Sequence, residues 1–209
     1  MTEAGHMAPF LDWPPGLRLV LASRSPRRAE LLTVAGIPHE VRPAAEIEEE
    51  LAAGLTALHD NPAAYAIALA EAKARDVADD LPGRLVLGSD TVVVHEGDIL
   101  EKPRDEADAV RLLTRLSGNR HNVVSAVSLV GGPAGSAGLS ACETTAVAFL
   151  PLEPAAIVRY VATGEPMDKA GAYGIQGFGA MMVHRIEGCY FNVMGLPLAR
   201  LGAMLKEVL

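Results

Sequence analysis

The spacing of apolar and polar residues predicts an α/β protein whose chain opens with a strand and a helix. Residues 17–21 form an apolar run typical of a buried strand, and the segment after Pro26 has a helical pattern. Pro26 suits the first turn of that helix, and Ser25 before it is the expected N-cap, with a hydroxyl that accepts from a backbone amide. The turn between strand and helix therefore lies at the positive end of a helix dipole.

Later segments predict a mixed sheet with flanking helices. Further helices are expected to begin at Asn61, Asp105, Glu153 and Pro197. Strand-like runs cover residues 84–88 and 92–95. Two antiparallel hairpins are expected, with arms at 121–130 and 139–150 and at 181–186 and 189–193. A strand–helix start followed by hairpins indicates an α/β fold with both parallel and antiparallel strand pairs.

Composition and charge exclude several classes of protein. The chain has 209 residues, half of them apolar, and a net charge of −8. This charge argues against a nucleic-acid partner, but a small polyanionic substrate remains compatible because local cations can reverse the field inside a cleft. The two cysteines, Cys142 and Cys189, predict neither a disulfide framework nor a zinc site. With no signal peptide or membrane-spanning stretch seen, we expect a cytoplasmic protein with a flexible leader over 1–16 and a single domain over 17–209.

The turn after the first strand is the first candidate site. It carries the arginines Arg24, Arg27 and Arg28 together with the serines Ser23 and Ser25. Backbone donors, a helix dipole and guanidinium groups are together suited to binding phosphate. Surface arginines that are merely solvated would explain the same stretch, so the turn taken alone leaves both interpretations open.

Asp90 is the second candidate, because it interrupts an apolar strand pattern. Buried carboxylates are rare unless they are paired, capped or bound to a metal. An acid at the end of a strand is a typical catalytic placement in α/β proteins, which favours a catalytic or metal-binding Asp90. The alternative is a structural aspartate held by backbone amides.

Three further segments carry candidate chemistry. The acidic run 46–50 is either a solvated face or a source of carboxylate ligands for a divalent cation. Lys73 and Arg75, taken by themselves, are interpreted as a solvent-facing basic pair near a helix end. The glycine-rich loop 168–179 lets the backbone approach a ligand closely, while its polar side chains could bind a base or a phosphate.

Taken together and in order, the motifs of this chain closely resemble those of the Maf family. They are SRSPRR at 23–28, GSDT at 88–91, EKPR at 101–104, LSG at 116–118 and DKAGAYGIQG at 168–177. The resemblance implies the fold of the inosine triphosphate pyrophosphatases, an elongated mixed sheet with flanking helices and two lobes around a cleft. It also implies cleavage of nucleoside triphosphates to the monophosphate and pyrophosphate with a divalent metal cation, Mg²⁺, Mn²⁺ or Co²⁺.

The same resemblance assigns roles to individual residues. Thr91 and Gln176 place the chain with the branch that acts on dTTP and UTP, not with the branch that acts on 7-methyl-GTP. Asp90 is implied as the proton acceptor. Asp90 and Glu49 are implied as metal-binding residues, with Glu48 as the alternative to Glu49. Substrate selection is implied for Arg27, Thr91 and Gln176. Phosphate binding is implied for Ser23, Ser25, Arg28, Lys73, Lys102 and Lys169. Arg24 departs from the family, which often has a small residue there.

Two alternatives and one assembly state follow from the family as well. The family is associated with arrest of septum formation, so a nucleotide-binding regulator of cell division with incidental catalysis is the main alternative. A housecleaning enzyme for modified pyrimidine nucleotides is another. Intact Asp90, Lys102 and Lys169 favour turnover. A homodimer is implied by the resemblance alone.

Overall fold

A computed structural model describes residues 8–45, 54–132 and 136–209. Within them, seven strands form one mixed sheet. The strands are β1 (Leu19–Ala22), β2 (His39–Val41), β3 (Leu85–His95), β4 (Asp98–Leu100), β5 (Arg120–Gly131), β6 (Ser136–Phe149) and β7 (Val183–Glu187). Their order is β2-β1-β3-β5-β6-β7, with β4 paired to β3. Among the described strands, the pairings of β1 with β2 and β3 are parallel and the others antiparallel, which confirms the predicted mixed sheet with flanking helices.

Except for the short helix at residues 190–193, the described α-helices begin close to where the sequence places them. They are α1 (Pro26–Val34), α2 (Pro62–Asp79), α3 (Glu106–Leu116), α4 (Pro154–Val161), α5 (Tyr190–Val193) and α6 (Leu198–Val208). The predicted caps of α2 and α3 are confirmed: the amide of Ala64 donates to Asn61 Oδ1 at 3.1 Å, and the amide of Asp108 donates to Asp105 Oδ1 at 2.7 Å. None of the helices in the described ranges is long and apolar enough to cross a bilayer.

The predicted capping bond of Ser25 is wrong. Ser25 does occupy the N-cap position of α1 with extended backbone, but its side chain makes no capping hydrogen bond. The amide of Arg28, which such a hydroxyl would bind, donates instead to the carbonyl of Ser25 at 3.2 Å. The amide of Ser25 donates to Ser23 Oγ, also at 3.2 Å. The serine that organises this turn is therefore Ser23.

The predicted last hairpin is also wrong. β7 pairs with β6, and the segment expected to be its partner strand forms the single helical turn α5. Asn192 is the physical reason, because its fully buried side chain needs hydrogen bonds from several directions. Its Nδ2 donates to the carbonyl of Val123 at 2.9 Å and to Thr145 Oγ1 at 3.0 Å. These bonds hold α5 against β5 and β6.

The sheet edge beside β3 has an opening that determines where the site lies. β1 pairs with β3 as far as Gly88, and β4 pairs with β3 from Val93 onward. Among the described strands, none covers residues 89–92 on that edge, while β5 covers the other edge without a break. Asp90 and Thr91 therefore lie in the middle of an eleven-residue strand, but next to an open stretch of sheet edge.

Two hydrophobic cores meet at this opening. One contains Leu19 of β1, Leu32 of α1 and Leu201 of α6. The other contains Leu113 of α3 and Tyr160 of α4. Residues of both cores line the cleft described below: Ile175 and Met194 from the first, and Val93 and Tyr173 from the second.

The described part of the predicted leader contacts the first core. Ala8 is buried and its amide donates to the carbonyl of Gly36 at 2.8 Å. Leu11 and Trp13 pack against the same cluster. The division into a leader over 1–16 and a single domain over 17–209 stays a prediction.

Candidate active site

A cleft of about 830 Å³ lies at the open edge of β3. Ten of the residues assigned from the sequence line it together: Ser23, Ser25, Arg27, Arg28, Lys73, Asp90, Thr91, Lys102, Lys169 and Gln176. Arg24, the departure from the family pattern, lines it too. Glu48 and Glu49 lie outside the described residues, but Ala44 and Ala45, shortly before them in the chain, are also part of the lining.

Asp90 and Lys73 form an ion pair at the bottom of the cleft. Lys73 Nζ donates to Asp90 Oδ1 at 2.7 Å, and the two side chains are 6% and 13% exposed. The interpretation of Lys73 as solvent-facing is therefore wrong, whereas Arg75 does face outward and pairs with Glu71 along α2. The placement of Asp90 at a strand end is wrong as well, since antiparallel pairing with β5 carries β3 past it.

Gly88 explains how α2 comes close enough for this pair to form. A Cβ at Gly88 would lie 2.1 Å from the carbonyl oxygen of Ala70 and 2.8 Å from the amide nitrogen of Ala74. Because glycine has no Cβ, the helix backbone packs directly on the strand. Lys73, one residue before Ala74, is thereby held over Asp90, two residues beyond Gly88.

Arg28 connects the turn after β1, the candidate phosphate-binding turn, to the neighbouring elements. Its guanidinium donates to Ser23 Oγ at 2.9 Å, to Thr91 Oγ1 at 3.2 Å and to the carbonyl of Gly195 at 2.9 Å. These contacts join the turn after β1, the strand β3 and the segment before α6. Arg28 thus holds together three of the elements that form the wall of the cleft.

The hydroxyl of Thr91 has a determined hydrogen-bond direction. Ser125 Oγ donates its only proton to the carbonyl of Asn192 at 2.8 Å. In the 2.9 Å contact between the two hydroxyls, Thr91 must therefore be the donor. Its proton is then used, and its lone pairs face Arg28 and the cleft. Thr91 can accept a hydrogen bond from a ligand, but in this network it has no proton to donate.

Asp168 links two cations from different parts of the chain: Arg27, expected to act in substrate selection, and Lys169, expected to bind phosphate. Its Oδ2 lies 3.2 Å from Arg27 Nη1 at the start of α1, and its Oδ1 lies 2.6 Å from Lys169 Nζ. Burial works against the charged carboxylate, but the hydrogen bond from Lys169 and the charge of Arg27 outweigh it and lower the pKa of Asp168 below its usual value. This contact joins the start of α1 to the loop 168–179 in the lining of the cleft.

Two charged lining residues were missed by the sequence reasoning. Glu101 lines the cleft, and its Oε1 accepts from the hydroxyl of the buried Tyr65 at 2.9 Å. Arg104 also lines the cleft, and its Nε lies 3.2 Å from Asp108 at the start of α3. Both missed residues belong to the EKPR motif, so the signal was present, but only Lys102 of that motif was given a role.

The charge of the cleft is opposite to that of the whole molecule. Its described lining has seven basic side chains: Arg24, Arg27, Arg28, Lys73, Lys102, Arg104 and Lys169. Three carboxylates accompany them among the described lining residues: Asp90, Glu101 and Asp168. In a chain of net charge −8 this concentration of cations is suited to a polyanion.

The fold and the site define a class: a mixed α/β protein with a cationic cleft built over a buried lysine–aspartate pair. Residues 18–208 match the family model described as Maf-like protein, and the chain belongs to the Maf family.

Similar proteins cover nearly the whole chain. The dTTP/UTP pyrophosphatase of Moorella thermoacetica is 52% identical over 90% of this chain and 93% of its own. That of Koribacter versatilis is 47% identical over 95% of this chain and 98% of its own. Among solved structures, a HAM1 protein from Coxiella burnetii aligns with 91% of this chain and 99% of its own, at 14% identity and a TM-score of 0.48.

Proposed function

We propose that the protein hydrolyses dTTP and UTP to the nucleoside monophosphate and pyrophosphate. The observation that carries the proposal is the cationic cleft with the buried Asp90–Lys73 pair in its wall. Membership of the Maf family supports it, as do relatives at 44–52% identity that are named dTTP/UTP pyrophosphatase.

Asp90 would be the proton acceptor of this reaction. Its carboxylate would take a proton from a water molecule, whose oxygen forms a new bond to the α phosphorus. The bond from that phosphorus to the α–β bridging oxygen breaks, and pyrophosphate leaves with the electron pair. Lys73, bonded to one carboxylate oxygen, would keep Asp90 in place and leave the other oxygen for the water.

The basic residues would neutralise the triphosphate, which otherwise repels a nucleophile. Arg27 and Lys169 lie together at Asp168, on one side of the cleft, and Lys102 lines it as well. Preorganised cations of this kind stabilise the charge that develops on a transferring phosphoryl group. Ser23, Ser25 and Arg28 would hold the turn that contacts the phosphates, while Thr91 and Gln176 would contribute to substrate selection.

The donor chemistry of the cleft also fits a divalent cation. Asp90 and Glu101 supply carboxylate oxygens, the ligands that hard divalent cations prefer. In the described part of the chain, no three His, Cys, Asp or Glu side chains are grouped as a metal site. We propose that Glu49 of the run 46–50, with Glu48 as the alternative, supplies a further carboxylate beside Asp90. When bound, Mg²⁺, Mn²⁺ or Co²⁺ would neutralise phosphate charge.

The test is pyrophosphate release from a panel of nucleotides. Purified protein is incubated with dTTP, UTP, CTP, ATP, GTP and 5-methyl-UTP, each with Mg²⁺, Mn²⁺ or Co²⁺. We expect the monophosphate and pyrophosphate in equal amounts, with dTTP and UTP the fastest of the unmodified substrates. Release of orthophosphate and a diphosphate would contradict the assigned bond. Tight nucleotide binding without any turnover would favour the regulator of septum formation and cell division instead.

Localisation and assembly stay predictions. The cytoplasmic location and the homodimer rest on the composition and on the family resemblance.

A further inference from the structure

The loop that carries Gln176 is held by hydrogen bonds to Glu165 and Tyr160, two residues that have no assigned role. Glu165 Oε2 accepts from the amide of Phe178 at 3.0 Å, and Glu165 Oε1 accepts from the amide of Gly179 at 3.1 Å. The hydroxyl of Tyr160 donates to Glu165 Oε1 at 2.9 Å and accepts from the amide of Gly174 at 3.2 Å. We call Glu165 and Tyr160 the loop clamp.

The clamp binds the loop on both sides of Gln176. Gly174 lies two residues before it, and Phe178 and Gly179 lie two and three residues after it. A carboxylate that accepts from two consecutive amides makes strong, charge-assisted hydrogen bonds. Gln176 itself is exposed toward the cleft, and no hydrogen bond of its side chain is found among the described residues. Its amide is therefore presented by the loop backbone alone.

The clamp also accounts for glycines in this loop. A Cβ at Gly177, whose φ is +75°, would lie 2.5 Å from Glu165 Oε2. A Cβ at Gly179 would lie 2.9 Å from the hydroxyl oxygen of Tyr160 and 2.2 Å from the carbonyl oxygen of Gly174. The backbone can approach the two clamp residues this closely only without side chains. The glycines are thus fitted to the clamp as well as to a ligand.

Glu165 contacts the phosphate side of the cleft as well. Its backbone carbonyl accepts from Lys169 Nζ at 2.5 Å, and Lys169 also pairs with Asp168. One residue therefore holds both the loop expected to contact the base and a cation expected to contact the phosphates. The contact with the loop uses the side-chain carboxylate of Glu165, whereas the contact with Lys169 uses the backbone carbonyl. A side-chain substitution therefore changes the first contact and leaves the second group in place.

We propose that Glu165 and Tyr160 are positioning residues for nucleobase selection, acting through the backbone of residues 174–179 on Gln176. This inference rests on the proposed function. A nucleotide-binding group that must discriminate between bases has to be held rigidly, because a mobile amide can adapt to the wrong base. Neither clamp residue is part of the cleft lining, and Asp90 and Lys73 lie on other elements.

The test compares Glu165→Gln with Glu153→Gln. In Glu165→Gln an amide NH₂ faces at least one of the three donors whichever way it turns, so the clamp is broken. Glu153 is an exposed glutamate at the start of α4 whose side chain makes no capping bond, so its substitution by glutamine is a matched control. For each protein, kcat and KM are measured with UTP, CTP and ATP. Gln176→Glu serves as the reference for lost base contact.

We expect the ratio of kcat/KM for UTP to that for CTP and ATP to fall about tenfold or more in Glu165→Gln. The loss should appear mainly as a higher KM for UTP, with kcat within about threefold of the wild type. Glu153→Gln should retain the wild-type ratio. Tyr160→Phe, which removes one hydroxyl, should shift the ratio in the same direction by less, and it serves if Glu165→Gln fails to fold.

A purely structural role would slow all nucleotides equally and leave the ratio unchanged, which would overturn the inference while the proposed function stands. Amide hydrogen exchange in residues 174–182 gives a readout that needs no substrate. It should accelerate in Glu165→Gln and stay unchanged in Glu153→Gln; unchanged exchange in both would contradict the clamp itself. A wild-type protein that hydrolyses none of the nucleotides would overturn the proposed function and, with it, the role in base selection.

Discussion

At the scale of single residues, the site depends on a few polar groups that are held by hydrogen bonds and ion pairs. Asp90 is paired with Lys73, Thr91 is hydrogen-bonded to Ser125 and Arg28, and Asp168 is paired with Arg27 and Lys169. In each case a group that could contact substrate is held by a group from another element. Substitutions at these positions will therefore change stability and activity together, and experiments must separate the two.

Asp90→Asn should lower kcat by at least about a hundredfold, because an amide cannot accept the proton from water. The variant should also be less stable: the nearly buried ammonium of Lys73 loses the charge of Asp90, at a cost of about 1–3 kcal/mol in the free energy of unfolding. Steady-state kinetics and urea unfolding measure the two effects.

The double variant Lys73→Met with Asp90→Asn is the matched control. It removes the ammonium together with the carboxylate, so we expect stability to recover toward the wild type while turnover stays lost. Near-normal kcat in Asp90→Asn would exclude Asp90 as the base.

At the scale of elements, two close backbone approaches build the cleft. α2 packs on β3 at Gly88, and the loop 174–179 packs on the clamp at Gly177 and Gly179. The opening between β1 and β4 leaves residues 89–92 of β3 accessible. Since successive side chains of a strand point to opposite faces, this opening lets both Asp90 and Thr91 reach one cleft.

Gly88→Ala should separate α2 from β3. The new Cβ meets backbone atoms of Ala70 and Ala74, which cannot rotate away, so we expect a loss of about 2–3 kcal/mol in the free energy of unfolding. We also expect lower kcat, because Lys73 moves away from Asp90. Thermal unfolding and pyrophosphate release are the measurements.

Gly202→Ala is the control for this prediction. Gly202 lies in α6, and a Cβ added there would have nothing within 4 Å, so alanine should stabilise the protein by about 0.5–1 kcal/mol. Equal stability changes in the two variants would show that the contact at Gly88 is not tight.

At the scale of the whole molecule, an acidic protein concentrates positive charge in one cleft and keeps a buried histidine in its second core. His121 packs edge-on against Phe149 and Tyr173, and its Nε2 lies 2.8 Å from the Tyr173 hydroxyl oxygen. Burial, with a smaller effect of the charge on His95, lowers the pKa of His121 to about 4. The neutral ring is the form that the core accommodates.

The free energy of unfolding of the whole protein should therefore fall as the pH is lowered from 6.5 toward 4. The unfolded chain protonates His121 near its ordinary pKa of 6.5, and the folded chain only near 4. Between these values the unfolded state binds more protons, so the contribution of His121, up to about 3 kcal/mol, is present above pH 6.5 and lost toward pH 4. Urea unfolding at half-unit pH steps measures the slope.

His121→Gln should flatten that slope, because glutamine does not titrate. The control is His184→Gln at an exposed histidine of β7, which should retain the wild-type slope. A wild-type slope in His121→Gln would assign the pH dependence to other groups.

Much of the fold was readable from local pattern, while several contacts of the site were not. The boundaries of β5, β6, α2 and α3 follow from apolar periodicity and from the caps Asn61 and Asp105, which act within a few residues. The last hairpin failed because Asn192 satisfies its buried amide through β5 and β6, far away in the chain. The clamp was missed because Glu165 acts on amides thirteen and fourteen residues later.

Local pattern predicts the order of most elements, the chemical types at the site and, through the motifs, the membership of the Maf family. These features depend on residue type and short spacing, which the chain carries locally. Long-range packing is what buries Lys73 against Asp90, directs the proton of Thr91 to Ser125 and brings Glu165 to the loop of Gln176. Each of these contacts needs a strand register or a helix docked at close range, and both are set by packing across the whole sheet.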